Sequence, residues 1–216
     1  MPRVALSADE IAAFRGKAIH VATKLFAEQG YQAVTMRAIA DALGISAMAP
    51  YRYFENKAEI FALVRAEATR AFNECLRREL ERDAPVFERL IRVREAYVRF
   101  ALGHPDQYRI IFEQRSESDD AYPELAEASL SGMELMLRCG QLAIEAGLYT
   151  GDPVTVAHLL WVHVHGLVSL HHAGKLQAGR TLEQLLDLST ARIADIAAHA
   201  APTKRRSKAR KRRGKP

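Results

Sequence analysis

Residues 35–54 hold two short stretches, Thr35–Leu43 and Ser46–Phe54, each opened by a hydroxyl-bearing residue and joined through Gly44-Ile45. Serine and threonine favour the position before a helix because their oxygen accepts a free N–H of the first turn. A glycine at the joint supplies the positive φ that a tight turn needs. Two short helices on so short a hinge form a helix-turn-helix, whose second member fits the major groove of B-form DNA. This twenty-residue pattern restricts the fold more than any other feature of the chain.

The flanking sequence is punctuated in the same helical code. Ser7-Ala-Asp-Glu10 is a capping box, and Ile11, Phe14, Ala18, Ala22 and Leu25 then recur at three- and four-residue steps, with Gly30 as a left-handed stop. Ile39, Leu43 and Ile45 would pack the helix pair on Leu25 and Phe26 of this first helix. Asn56-Lys-Ala-Glu59 is a second capping box, opening a helix over about 57–82 that links the head to the rest. Pro85 begins a helix bearing Phe87, Leu90, Ile91, Tyr97, Val98 and Ala101, and His104-Pro105 breaks it. Tyr108–Phe112 is a short amphipathic piece, Ser116–Pro123 a polar loop, and Glu124–Ala146 a helix stopped by Gly147. Asp152-Pro153 pairs an N-cap with proline at the first helical position, for a helix to Ala173 and Gly174. Thr181-Leu-Glu-Gln184 is a third capping box, for a last helix to about His199. The expected fold is therefore all-α, with about nine helices and no strand.

Charge divides the chain in three. Residues 1–57 carry 7 Lys/Arg against 5 Asp/Glu, residues 58–203 carry 15 against 21, and residues 204–216 carry 9 against none. An acidic body between basic ends directs a polyanion to the ends, and nucleic acid is the first candidate. The expected division is a DNA-binding domain over 1–57, a helical body over 58–203 and a disordered basic tail over 204–216. Cys75 and Cys139 lie outside any CxxC spacing and read as small buried residues of a reducing compartment. His158, His163 and His165 interrupt the apolar stretch Val154–Leu170, and no signal-peptide pattern opens the chain. The expectation is a cytoplasmic protein with no membrane span.

Gly30-Tyr-Gln-Ala-Val-Thr-Met-Arg-Ala-Ile-Ala-Asp-Ala-Leu-Gly-Ile-Ser46, followed by Tyr51-Arg-Tyr-Phe-Glu-Asn-Lys57, resembles the N-terminal domain of the tetracycline-repressor (TetR) family. The resemblance covers about residues 8–64. It implies phosphate contacts from Thr35, Tyr51, Tyr53 and Lys57, and Lys57 also stands at a helix start, where free N–H groups attract anions. It implies that Arg37, Ala47, Met48 and Ala49 face base edges. Arg37 can donate two hydrogen bonds to guanine, and the small residues with Met48 suit thymine methyls. Few of these side chains form hydrogen bonds, so DNA shape is expected to share in specificity. Met48 and Pro50 depart from the family pattern, which has a small and an apolar residue there.

Leu159-Leu-Trp-Val-His-Val-His-Gly166 and His104-Pro-Asp-Gln-Tyr108 resemble the C-terminal domain of the family's Trp-His-Gly subgroup. That resemblance implies a homodimer through the helices at about 153–173 and 181–199. Both carry apolar residues on more than one face, among them Val156, Leu159, Val164 and Leu170 on the first, and Leu182, Leu188, Ile193 and Ile196 on the second. Helices apolar around most of their girth need neighbours on two sides. The candidates to line an effector pocket are Phe100, Tyr108, Phe112, Met133, Met136, Trp161 and His165. The expected activity is that of a ligand-responsive repressor on a near-palindromic operator, released by a small apolar effector, with no cofactor.

The residues also admit rivals of other classes. His158, His165 and His172 recur every seven residues and share a helix face, the spacing a metalloprotein would use. No acid lies between Pro153 and Arg180 to complete such a site, and no HExxH, GxSxG or phosphate-cradling glycine loop occurs, so no metal and no enzyme are expected. A sequence-indifferent DNA-binding protein relying on the basic tail is the other alternative.

Overall fold

The computed structural model describes residues 7–114, 121–177 and 179–188. Among these there is no strand. The chain forms α1 (Ala8–Ala33), α2 (Met36–Leu43), a one-turn 3-10 helix (Pro50–Arg52), α3 (Lys57–Leu80), α4 (Val86–Gly103), α5 (Pro105–Phe112), α6 (Pro123–Glu145) and α7 (Pro153–His172). It enters a further helix, α8, at 182–188. The expected second half of that last helix, with Ile193 and Ile196, lies outside the described residues, as does the basic tail.

Most helix starts follow from local chemistry. Ser7 accepts from Glu10 N–H at 3.2 Å while the Glu10 carboxylate takes Ser7 N–H at 2.7 Å, a reciprocal cap. Thr35, Asn56 and Asp152 each accept an N–H three residues on, at 3.0–3.1 Å. Thr181 and Gln184 close a second reciprocal box. The box expected at Asn56 closes only on one side: Glu59 reaches back to Glu55 N–H instead. Gly44 sits in the left-handed region (φ 69°, ψ 32°), and the N–H of Ile45 reaches Ala40 C=O, so the orphan carbonyls of α2 are met. Gly30 also has positive φ (77°), with ψ at 160°, and breaks α1 without ending it; one more turn continues to Ala33.

The expected helix over Ser46–Phe54 is shorter and tighter than the sequence implied. Its bonds run Ala49 N–H to Ser46 C=O, Arg52 to Ala49 and Tyr53 to Pro50, the three-residue step of a 3-10 turn, with a four-residue bond only at the end, from Phe54 N–H to Pro50 C=O at 3.0 Å. Pro50 has no N–H to close a four-residue bond onto Ser46, and no side chain caps the segment.

Two cores result. Phe26, Val34, Ile39, Phe54, Ile60 and Phe61 are the centre of the head, each buried. Phe72, Leu76, Tyr97, Phe100, Tyr108 and Leu142 belong to the core of the body. Two helices belong to both. α3 gives Ile60 and Phe61 to the head and Phe72 and Leu76 to the body. α5 gives Ile110 to the head and Tyr108 to the body, and Gln114 just beyond it donates to Phe26 C=O at 2.9 Å.

α6 and α7 approach closely over Gly140: a Cβ there would lie 2.4 Å from Pro153 C=O. Only one side of α7 is covered, by Val156, Ala157, Val164 and Val168. Its other side leaves Val154, Leu159, Val162 and Leu170 exposed. By length and composition alone, α7 is the one helix among the described residues long and apolar enough to cross a membrane.

Candidate functional site

α2 and the turn after it form an exposed edge of the head. Thr35 caps α2 and stays exposed, its Oγ1 accepting from Ala38 N–H at 3.1 Å. Arg37 projects from α2 with its side chain 82% exposed, 3.9 Å from Asp41 one turn on. Met48 (71%) and Tyr51 (50%) stand out on the turn, with Ala47 exposed beside them and Ala49 half-buried. Six of the eight candidates thus lie on α2 and the turn that follows it, none of them in either core.

Tyr53 and Lys57 are placed differently. The Tyr53 ring stacks on Phe14 at 4.0 Å between centroids. The Lys57 ammonium donates to Tyr31 C=O at 2.7 Å and lies 4.3 Å above the Tyr31 ring. It therefore closes the end of α1, and burial lowers its pKa. Only its backbone N–H remains at the start of α3.

Arg15 was not among the residues singled out in the sequence, yet it joins the three pieces of the head. It donates to Tyr53 C=O, pairs with Glu59 at 2.9 Å and stacks 4.6 Å over the buried Phe54. It thereby fixes the exit of the turn onto α1 and α3. No local pattern around residue 15 signals this, because all its partners are about forty residues away.

The body holds a half-open cavity of about 720 Å³ between α3, α4, α6 and α7. That falls within the size of small-molecule sites. Phe112, Met133, Met136 and Trp161 line it. Phe100, Tyr108 and His165 do not; they stand behind that wall. The Tyr97 and Tyr108 hydroxyls lie 2.9 and 3.0 Å from His165 Nδ1, and Ser169 Oγ lies 3.4 Å from Nε2. A neutral imidazole with its proton on Nε2 fits this set, accepting one tyrosine proton at Nδ1. Burial lowers the His165 pKa, opposed by Glu113, and burial raises both tyrosines.

Sequence reasoning missed Phe87, Leu90 and Ile91 of α4 as lining, and a polar row on α3: Arg65, Thr69 and Asn73. The four-residue spacing of that row on an otherwise apolar face was the available signal. Cys139 also lines the cavity, its thiol pushed by burial to about 12, whereas Cys75 is exposed. His158 turns to its own helix, Nδ1 lying 2.7 Å from Val154 C=O, while His172 stacks near Tyr108. Among the described residues no three His, Cys, Asp or Glu side chains converge as metal ligands would.

Residues 18–64 match the family described as bacterial regulatory proteins, tetR family, and residues 90–193 match the tetracyclin repressor-like C-terminal domain. The transcriptional activator FasR of Mycolicibacterium smegmatis is 30% identical over 99 residues, which are 46% of this chain and 45% of that one. The chain thus spans about half the length of that curated relative. Among solved structures, a Rhodococcus sp. RHA1 protein of unknown function aligns with a TM-score of 0.71 at 20% identity, over 93% of this chain and 99% of that one. The ketosteroid regulator KstR2 of Mycobacterium tuberculosis aligns at 0.60 and 20% identity, over 91% and 98%. Both share the fold. With a head and a body that each match their own part of one family, the chain belongs to the TetR family of bacterial transcriptional regulators.

Proposed function

We propose that the protein is a homodimeric, ligand-responsive repressor, in which occupation of the body cavity changes the spacing of two DNA-reading heads. The observation that carries this reading is the double membership of α5. Ile111 and Phe112 line the cavity, while Ile110, their neighbour, is fully buried in the head. A ligand that displaces Phe112 shifts a helix on which the head is also packed. Effector and operator then compete through the preferred position of one rigid element.

The dimer is supported by α7, whose uncovered side bears Leu159, Val162 and Leu170, with Leu188 of α8 also exposed. Burying such a strip against its two-fold copy forms a four-helix interface. Two reading turns would then meet grooves about 34–36 Å apart or a multiple of it on a near-palindromic operator, in the cytoplasm where the chromosome lies. Within each head, Thr35 and Tyr51 are assigned to phosphates, and Arg37, Ala47, Met48 and Ala49 to base edges. For Tyr53 and Lys57 the phosphate role passes from the inward-turned side chains to the backbone around them.

Selection of bound sequences from random duplexes, with sedimentation of the complex, tests the whole reading. A two-fold symmetric site bound by two copies is expected; a monomer on an asymmetric site, or no preferred sequence, would sink it. Arg37→Ala should lose about 1–3 kcal/mol at one base position of the selected site. A uniform loss on all sequences would remove its base-reading role. FasR is named an activator, so a reporter driven from the selected site decides the sign of control: repression lifted by ligand is expected.

A further inference from the structure

The half-open cavity of the body and the uncovered side of α7 share residues. α6 and α7 touch where Gly140 meets Pro153 and Ala157. Beyond that contact lie Met133 of α6, two turns before Gly140, and Trp161 of α7, one turn after Ala157. Both line the cavity and both are exposed. A side chain that lines a void and also meets solvent marks where the void opens.

Val154, His158 and Trp161 follow at four- and three-residue steps, so they form one stripe along α7. All three line the cavity, and all three are exposed. Val162 lies next to this stripe around the helix, outside the lining, and is 61% exposed. Leu159 belongs to the lining and to the uncovered side alike. The mouth of the cavity thus lies on the apolar face of the body.

That face suits a second copy of this chain. Residues 153–172 contain no Asp, Glu, Lys or Arg. A two-fold axis brings the same patch of both subunits together, so a charged strip would repel itself and an uncharged one does not. A helix made to lie on a membrane carries Lys and Arg on its polar face instead. Val154, Leu159, Val162, Leu170 and Leu188 of α8 expose on the order of 500 Å² of apolar side chain, against about 800 Å² per partner in a stable interface with its polar rim.

We infer that the partner copy closes the cavity: the apolar strip of one protomer's α7 covers the mouth beside Trp161 of the other, and the ligand site is complete only in the pair. This rests on the dimer and the effector site proposed above. It adds that ligand and partner favour each other's binding through one shared surface.

Trp161 is the chain's single tryptophan, so quenching of its emission by acrylamide reads the mouth directly. The full chain is compared with V162E/L170E, which sets like charges against each other across the axis. Both positions are exposed and outside the lining. Sedimentation gives the state of each sample. The pair should be quenched at least about threefold less steeply than the monomeric variant, since the core of an interface excludes solvent. N-phenyl-1-naphthylamine, a neutral apolar dye, should bind the pair about tenfold more tightly per chain. Dilution of the unaltered chain through its dissociation should give the same changes without any substitution. The inference is overturned if either readout is the same in pair and monomer, or if the variant still pairs. Weak quenching in both would give the mouth to residues 189–203 of the same chain, and free quenching in both would leave it uncovered; either result spares the dimer. A chain that is monomeric at every concentration, whether or not it floats with phosphatidylcholine vesicles, removes the dimer reading and this inference together.

Discussion

The head and the body are built from the same kind of helix yet end in opposite states of packing. The head closes: the rings of Phe26, Phe61 and Tyr31 pack together with centroids 4.7–6.1 Å apart, and its centre is sealed from solvent. The body stays open, keeping a cavity of about 720 Å³ and one uncovered side of α7. Close packing is the usual state of an interior, and a void forfeits contacts its lining would otherwise make. The difference teaches where each part's specificity lies. On the function proposed above, a head that reads DNA would hold a few side chains at fixed positions, which a filled interior does, and a body that senses a ligand would need room to admit it, which an unfilled interior leaves.

The largest effect should come from breaking the closed side. Phe61→Ala removes a fully buried ring that touches both Phe26 and Tyr31. A loss of about 3–5 kcal/mol is expected in denaturant unfolding. Met133→Ala, at a cavity wall and 53% exposed, should cost less than about 1 kcal/mol. Equal costs would erase the contrast.

Next is Gly140→Ala, where the new methyl meets the Pro153 carbonyl and Ala157. It should lower stability by about 1–3 kcal/mol and open the cavity by pushing α7 from α6. Unchanged melting would mean that the helices are not held at this point.

A smaller effect separates the two tyrosines of the turn. Tyr51→Phe should weaken operator binding by about 0.5–1.5 kcal/mol through a lost phosphate contact. Tyr53→Phe should leave it unchanged, because the Tyr53 ring serves by stacking on Phe14. The reverse order would show that the turn rearranges on DNA.

The smallest is a pH effect confined to the body. Burial lowers the pKa of His163 and His165, with Arg94 adding to it at His163. The unfolded chain therefore takes up protons first as pH falls through the ordinary histidine value of 6.5. Stability present above that value is lost below it. Thermal melts between about pH 7.5 and 5.5 should show a falling Tm, flattened in the H163Q/H165Q variant; a Tm that rises on acidification would contradict the assigned burial.

Much of this fold was written locally. Ser7, Thr35, Asn56, Asp152 and Thr181 each announce a helix start because a cap involves only the next three residues. Gly30 and Gly44 announce breaks for the same reason. Over 46–54 the structure has a 3-10 turn in place of the expected helix, because Ser46 resembles a cap but the missing N–H of Pro50 governs the bond pattern. Exposure was legible at Arg37 and Met48, which stand out on the surface as polar-face and turn positions do. It was not legible where a distant partner decides. Nothing near Lys57 tells that its ammonium will be spent on Tyr31, and nothing near Phe100 tells that α4 presents Phe87, Leu90 and Ile91 to the void. Periodicity identifies an apolar face but not whether that face meets another helix or a hole.

The two cysteines give the molecule an unplanned handle. With Cys139 enclosed and held protonated, a thiol-directed spin label will take Cys75, which projects from the helix joining the two cores. Two such labels in an assembled pair would turn head separation into a measurable distance, read in the same sample before and after ligand is added.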